Sequence, residues 1–367
     1  MIEKTAELIS HFCVRGRVIS SEPYGSGHIN TTLRVLLDNS GRVTEYILQK
    51  INTSVFKSPD RLMENYVGVT EFLHEKILKN DGDPDREAIN VIKTNDGKSY
   101  YVTEEGECWR LLLFVTDSIS YDKVERPEQF YNSAVAFGNF QRLLADYPAE
   151  TLYEIIPNFH NTPDRFRKFL AAVENDACGR RSEVETEIAF VKEREAFAST
   201  LEIAHAEGRL PLKVTHNDTK LNNILFDKKT GKAICVIDLD TIMPGYSVND
   251  FGDSIRFGAT TAVEDEADLS KVNFDITLYE LYVKGFIEGA AGGLTECETE
   301  LLPIGAIMMT YECGMRFLTD YLEGDTYFRT SRPKHNLDRA RNQFKLVHDM
   351  EEKLPEMRKI VNKYCHK

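Results

Sequence analysis

The chain has 367 residues, too long for one ordinary compact core and suited to two lobes. An apolar fraction of 42% and a charged fraction of 28% are globular values, which excludes disordered and fibrous classes. No run approaches the roughly 20 uninterrupted apolar residues of a membrane helix, and a formal net charge of −14 disfavours nucleic acid and anionic membranes as partners while leaving room for a locally bound nucleotide.

In chain order, residues 1–17 place Leu8, Ile9 and Phe12 on one face of a short amphipathic helix. The opening residues lack a basic region followed by an apolar run, so no secretory signal is expected. A strand-like run over 18–24 is punctuated by Gly25-Ser26-Gly27, and a second follows through Leu33, Val35 and Leu37. Asp38-Asn39-Ser40-Gly41 reads as a turn, and 46–51 as a third strand. Residues 60–79 have helical spacing, with Leu62, Tyr66, Val69 and Leu73 on a stripe. Two further strands are expected near 91–93 and 100–102, and an apolar run covers 109–115. The character then changes: 128–146 reads as a helix, long helical segments fill about 163–208 and 274–364, and short strands lie at 224–239. The predicted class is therefore α+β, with a small antiparallel β lobe over 1–116 and a larger, mainly helical lobe over 117–367. Seven scattered cysteines without metal-ligand spacing predict free thiols and a cytoplasmic location.

The chemistry concentrates in His216-Asn217-Asp218-Thr219-Lys220-Leu221-Asn222-Asn223. The spacing His-x-Asp-x-x-x-x-Asn is that of a protein-kinase catalytic loop. There the Asp accepts the hydrogen bond of the attacking hydroxyl, and the Asn turns back to hold magnesium on the phosphates. A short strand at 224–226, a turn at 227–231 and a second strand at 233–237 follow, ending at Asp238. The hairpin starts beside Asn223 and delivers an acid, so Asn223 and Asp238 are the expected magnesium ligands and Asp218 the expected base. An Asn/Asp-rich turn with capping side chains would account for single residues but not for the hairpin and the acid that follows it. Asp250-Phe251-Gly252 also spells the kinase metal triplet, but it lies well past the hairpin, and Asp250 and Asp253 are read as capping or bracing groups. Asp240, expected on the same side of a strand as Asp238, is either a second ligand or solvent-facing.

Gly25, Ser26 and Gly27 stand where kinases cover nucleotide phosphates, since glycine permits close backbone approach to an anion. His28 and Asn30 follow and either reach a ligand or begin a strand. Lys50 occupies the place of a phosphate-binding lysine, with Glu64 or Glu71 as its partner, although Gln49 alternates with it and only one of the two can face the nucleotide. Arg316, in an otherwise apolar helical stretch, has Glu312 and Asp320 one turn away as structural partners.

These segments resemble the aminoglycoside phosphotransferase and choline kinase superfamily, which shares the protein-kinase-like fold, and within it the N-acetylhexosamine 1-kinases. The resemblance rests on residues 23–32, 46–49, 214–225, 237–245, 250–254 and 312–318, and so runs over nearly the whole chain. It implies phosphorylation of the anomeric hydroxyl of N-acetylglucosamine or N-acetylgalactosamine by ATP and Mg2+. On this chain it implies Asp218 as base, Asn223 and Asp238 as magnesium ligands, and His28 and Arg316 as sugar contacts. Two other readings keep the fold. One changes the acceptor to another sugar, choline, homoserine or an aminoglycoside. The other is a pseudokinase that binds nucleotide, against which the intact Asp218, Asn223 and Asp238 argue.

Overall fold

The computed structural model describes residues 2–25, 27 and 29–365, which group into two compact units. The first comprises 1–120, 151–156 and 224–243; the second 121–150, 157–223 and 244–367. The hairpin carrying Asp238 thus groups with the N-terminal strands rather than with the residues that precede and follow it.

The first unit is built on an antiparallel sheet. Arg17–Pro23, Thr31–Asn39, Arg42–Ile51, Cys108–Leu113 and Val91–Ile92 are neighbours in that order, and Tyr101–Val102 also pairs with Cys108–Leu113. Strand alternation sends Val18, Val35, Leu37, Leu48, Trp109 and Leu111 to one face. There they pack against Leu8, Ile9 and Phe12. The helix Ile2–Ile9 has only eight residues and would not persist alone. Burial of about 1.5–3 kcal/mol per large apolar side chain supplies what its length does not. The helix Pro59–Lys79 begins with a proline in its first turn and Asp60 beside it, and ends with Lys76 and Lys79, as the helix dipole favours. Its buried stripe includes Leu62, Tyr66, Val69 and Leu73.

A second small sheet joins Ile224–Asp227 to Ala233–Val236 and to Ser118–Ile119. Ile224 pairs with Val236, so the chain that leaves Asn223 returns beside its starting point two residues before Asp238. Asp227 closes the hairpin turn by accepting the amides of Lys229 and Thr230 at 3.1 and 2.7 Å.

The second unit is helical. Pro127–Leu143 packs on Ile276–Ala290, and Glu296–Leu322 packs on Thr162–Asn175, Ser247–Gly258 and His335–Cys365. Close approach of Ser247–Gly258 to Glu296–Leu322 depends on two glycines. A Cβ at Gly252 would collide with the carbonyl of Gly305, and one at Gly305 with the carbonyl of Val248. The helical expectations over 163–208 and 274–364 are interrupted. Asp176 and Gly179 take left-handed φ values of 40° and 66°, after which come only the short helices Glu185–Lys192, Glu195–Ala198 and Thr200–Ala206. Ala291, Gly292 and Gly324, with φ of 45°, 82° and 95°, break the later segment into three helices. Among the described residues no helix is long and apolar enough to cross a membrane.

The contact at Gly252 gives a stability expectation. Gly252→Ala forces the two helices apart and lowers unfolding free energy by roughly 1–3 kcal/mol in a denaturant titration. An unchanged midpoint would show that the interface has room for a methyl group.

Candidate active site

The segment around Asp218 is a loop with a left-handed residue, Asn217 at φ 64°, between the strand Lys213–Thr215 and a 3-10 turn, Leu221–Asn223. Such a path exposes backbone N–H groups that no strand or helix satisfies. They are satisfied from the helix Ser247–Gly258. Asp250 accepts the amides of His216 and Asn217 at 2.9 and 2.8 Å, and Asp253 accepts that of Thr219 at 2.9 Å. The i, i+3 spacing puts both carboxylates on one face of that helix. The Thr219 hydroxyl donates to the Asp250 carbonyl at 2.6 Å, and Ser254 donates to the Thr219 carbonyl at 2.8 Å. Gln141 joins the network, donating to Asp250 at 3.0 Å and to the Val214 carbonyl at 3.1 Å.

Charge on these carboxylates has different support. Burial raises the Asp250 pKa, opposed by His216 and the two amides. Asp253 is buried as well, but Arg256 at 2.9 Å and Lys220 outweigh that and hold its carboxyl below the ordinary value. Arg256 continues to Glu264 at 2.5 Å. Asp250 and Asp253 therefore brace the loop.

Asp218 itself is half-buried. Its carboxylate receives the Asn223 amide at 3.1 Å and the Lys220 ammonium at 2.8 Å, and the same Asn223 nitrogen donates to the Asp218 carbonyl at 2.7 Å. Burial works against the Lys220 charge, yet Asp218 and Asp253 outweigh it and raise its pKa. Lys220 lies inside the loop motif but plays no part in the spacing argument, so the sequence reading passed over it. His216 is fully buried, with its ring edge-on to Phe137 and Phe140, and its Nδ1 accepts the Asp218 amide at 3.3 Å.

In the first unit, Asp238 has a left-handed φ of 62° and is exposed, and Leu239–Thr241 forms a 3-10 turn. The strand ends at Val236, so Asp238 and Asp240 do not share a strand face as expected. Asp240 is buried instead. It pairs with the fully buried Arg110 and accepts the Asn30 amide at 2.5 Å. Asn30 in turn accepts the Asn52 backbone amide at 3.0 Å, so its side chain is engaged on both sides. Arg110 also donates to Gln49 at 2.9 and 2.8 Å and lies 4.5 Å over the Tyr66 ring. Its pKa is raised, because Asp240 and Tyr66 outweigh burial.

Lys50 is placed elsewhere than expected. Register pairs Gln49 with Arg110 and Lys50 with Trp109, so alternation sends Lys50 to the face covered by Ile2–Ile9. Its Nζ meets Glu107 at 2.5 Å, while Glu71, offered as its partner, pairs with Lys93 at 3.3 Å. The cation beside Asp240 is Arg110. Strand pairing supplies it from 60 residues further along the chain, and spacing within one segment cannot reveal such a partner.

Gly25 has φ 83°, open to glycine at no steric cost, and its Cβ position is empty space. Gly27 is exposed beside it. Ser26 and His28 lie outside the described residues. Arg316 is not held by Glu312 and Asp320. Glu312 accepts from His160 at 2.8 Å and Thr162 at 2.7 Å, and Asp320 accepts the amides of Thr326, Tyr327 and Phe328. The Arg316 guanidinium instead lies between aromatic rings, 5.6 Å from Phe159 and 5.5 Å from Phe328.

The donor chemistry suits magnesium. The Asn223 nitrogen is engaged with Asp218, so its amide oxygen is the atom of that side chain suited to a metal ion. Amide and carboxylate oxygens are donor types that Mg2+ accepts alongside water and phosphate oxygens.

The Asp250 brace makes a direct prediction. Asp250→Ala leaves two loop amides and Gln141 without their acceptor. Amide exchange at 216–219 should rise sharply while that of 127–143 stays protected, and turnover should fall at least about 10-fold, as for loss of two charged hydrogen bonds. Unchanged exchange at 216–219 would remove the brace from the account.

The profile of the phosphotransferase enzyme family (APH) matches residues 20–280, the greater part of the chain. Solved structures of similar fold include a microcompartment-associated aminopropanol kinase, at 13% identity, TM-score 0.60 and coverage of 98% of this chain and 99% of that one. They also include a spectinomycin phosphotransferase in complex with ADP and spectinomycin (14%, 0.59, 95% and 98%) and a choline kinase from Cryptosporidium parvum (12%, 0.58, 100% and 100%). At these identities the likeness is one of fold, and it agrees with the antiparallel sheet and larger helical part described above. With the family profile spanning both the glycine turn and the Asp218 loop, the chain belongs to the phosphotransferase enzyme family, with a fold shared by aminoglycoside phosphotransferases and choline kinases.

Proposed function

We propose that the chain transfers the γ-phosphoryl group of ATP to the anomeric hydroxyl of an N-acetylhexosamine, giving the sugar 1-phosphate and ADP. The observation that carries the transfer is the tethering of Asp218 by Asn223 and Lys220 on a loop whose backbone is held by buried carboxylates. A carboxylate fixed in this way orients the acceptor hydroxyl for in-line attack and takes its proton as the new P–O bond forms and the bond to ADP breaks. Its neighbour Lys220 stands 2.8 Å from that carboxylate and helps fix its position. Asn223, through its amide oxygen, and Asp238 would hold magnesium, whose charge offsets that on the phosphate oxygens. Gly25, Ser26 and Gly27 are the proposed backbone cover for the nucleotide phosphates.

The acceptor is argued from charge. The structurally similar proteins whose names specify aminopropanol, choline or spectinomycin act on amines. A cationic acceptor calls for carboxylates beside the catalytic loop. Here Glu312 is already engaged by His160 and Thr162, and the ring of His160 reaches the Asn217 carbonyl at 3.5 Å. The group next along is the Arg316 guanidinium. A cation there suits a neutral, oxygen-rich acceptor such as an acetamido sugar, and agrees with the sequence resemblance that made Arg316 and His28 sugar contacts. Free thiols at all seven cysteines fit a cytoplasmic, ATP-dependent enzyme.

Asp218→Asn tests the assignment of the base. It should lower kcat by about 100- to 10,000-fold while calorimetry still detects binding of ATP and of N-acetylglucosamine. Turnover near the wild-type value would refute the role given to Asp218.

A further inference from the structure

Arg316 has a second guanidinium beside it that neither the motif nor the resemblance includes. Arg165, on the helix Thr162–Asn175, donates to the Phe159 carbonyl at 2.9 Å, and the Phe159 ring is one of the two that flank Arg316. The two arginines are close enough that Arg316, after burial itself, lowers the Arg165 pKa. Among the described residues neither forms an ion pair. Glu312 and Asp164 act on Arg165 through space, and Arg316 on Glu312, but the hydrogen bonds and ion pairs of the nearby acids go to other partners. Asp164 is paired with Arg167 and Lys168, each at 2.7 Å, Glu312 is held by His160 and Thr162, and Asp320 caps the amides of 326–328. The Arg165 Nε is buried with no hydrogen-bond partner.

Holding two like charges together, one of them partly desolvated and with an unsatisfied N–H, is unfavourable unless something else satisfies them. Partners of the right kind are oxygen atoms with accessible lone pairs, which guanidinium forks bind well. The adjoining wall is aromatic. Phe328 lies against Arg316, and Tyr327, whose ring meets Phe328 at 4.8 Å, is 68% exposed. An exposed aromatic face beside a cationic pair offers apolar contact to a sugar ring and hydrogen bonds to its oxygen-bearing substituent. Asp320 fixes the loop that carries both rings, so this wall is preformed.

We propose that Arg165 and Arg316 together form a subsite that recognises a carbonyl or carboxylate oxygen on the acceptor, with Tyr327 as its aromatic wall. Resting on the proposed function, this assigns the acetamido carbonyl of the sugar to the arginine pair and makes Arg165 a specificity-determining residue. It also excludes cationic amines from that position.

The test compares kcat/KM for N-acetylglucosamine, glucose and glucosamine in the wild type and in Arg165→Gln. The wild type should prefer them in that order. Arg165→Gln should lose about 10- to 100-fold on N-acetylglucosamine, as for a lost charged hydrogen bond. Its kcat/KM for glucose should stay within about threefold, with KM for ATP unchanged. Arg165→Lys, which keeps the charge and the packing of the stem, should fall between the two and carries the test if Arg165→Gln does not fold. Equal losses on both sugars, no loss on either, or a wild-type preference for glucosamine would overturn the subsite while transfer to the acetamido sugar keeps the proposed function. No transfer by the wild type to any acetamido sugar would overturn that function and the subsite with it.

Discussion

The loop that carries Asp218 has no regular structure of its own, and the rest of the second unit is arranged to compensate for that. A backbone that passes through a left-handed Asn217 cannot hydrogen-bond within a strand or helix. Two buried carboxylates from a single helix face, Asp250 and Asp253, take its amides instead. Charged acceptors make such bonds worth roughly 1.5–3 kcal/mol each, enough to keep one conformation of the loop dominant. The close fit of Ser247–Gly258 against Glu296–Leu322, possible only because Gly252 and Gly305 lack side chains, sets where those carboxylates sit. Packing, brace and the position of the Asp218 carboxylate are consecutive links of one chain of causes.

A comparable device operates in the first unit. Arg110 and Asp240 form a buried pair surrounded by Gln49, Asn30 and Tyr66. Such a pair is weak evidence for stability, because desolvation offsets much of the attraction, whereas losing one partner costs about 3–5 kcal/mol. Its consequence here is positional. It ties the turn that begins at Asp238 to the central strands, and it does so with an arginine from Cys108–Leu113 rather than the lysine at the end of Arg42–Ile51. Asn65 adds to this, donating to the Ile242 carbonyl at 3.0 Å just past the turn.

Much of this is legible in the sequence, and what is not legible has a physical reason. The hairpin from Asn223 to Asp238 can be read because both of its strands are local and a turn separates them. The N-terminal meander is equally local. Asp250 and Asp253 are read as bracing groups from their distance along the chain, although which amides they satisfy emerges only when the helix is docked. Lys50 misleads because a strand shows two residues at its end, and only the cross-strand register decides which faces which way. Arg110, the cation that does stand beside Asp240, is brought there by that register. By spacing alone, Arg316 is balanced by acids one turn away. Glu312 and Asp320 are engaged elsewhere by residues distant in sequence, His160 and the backbone of 326–328. The helical segments read over 163–208 and 274–364 are divided by left-handed residues such as Asp176 and Ala291, whose identities do not announce it.

The proposed acceptor rests on the sign of the charge near the Asp218 loop, where Glu312 is engaged by His160 and Thr162 and Arg316 is the group next along. A competition assay addresses that directly: the enzyme with ATP and magnesium, offered equimolar N-acetylglucosamine, N-acetylgalactosamine, choline and spectinomycin, with products followed by phosphorus NMR. The account predicts phosphate on the anomeric oxygen of an acetamido sugar, at least about 100-fold ahead of either amine, a difference of roughly 3 kcal/mol. Preferential phosphorylation of choline or spectinomycin would contradict it.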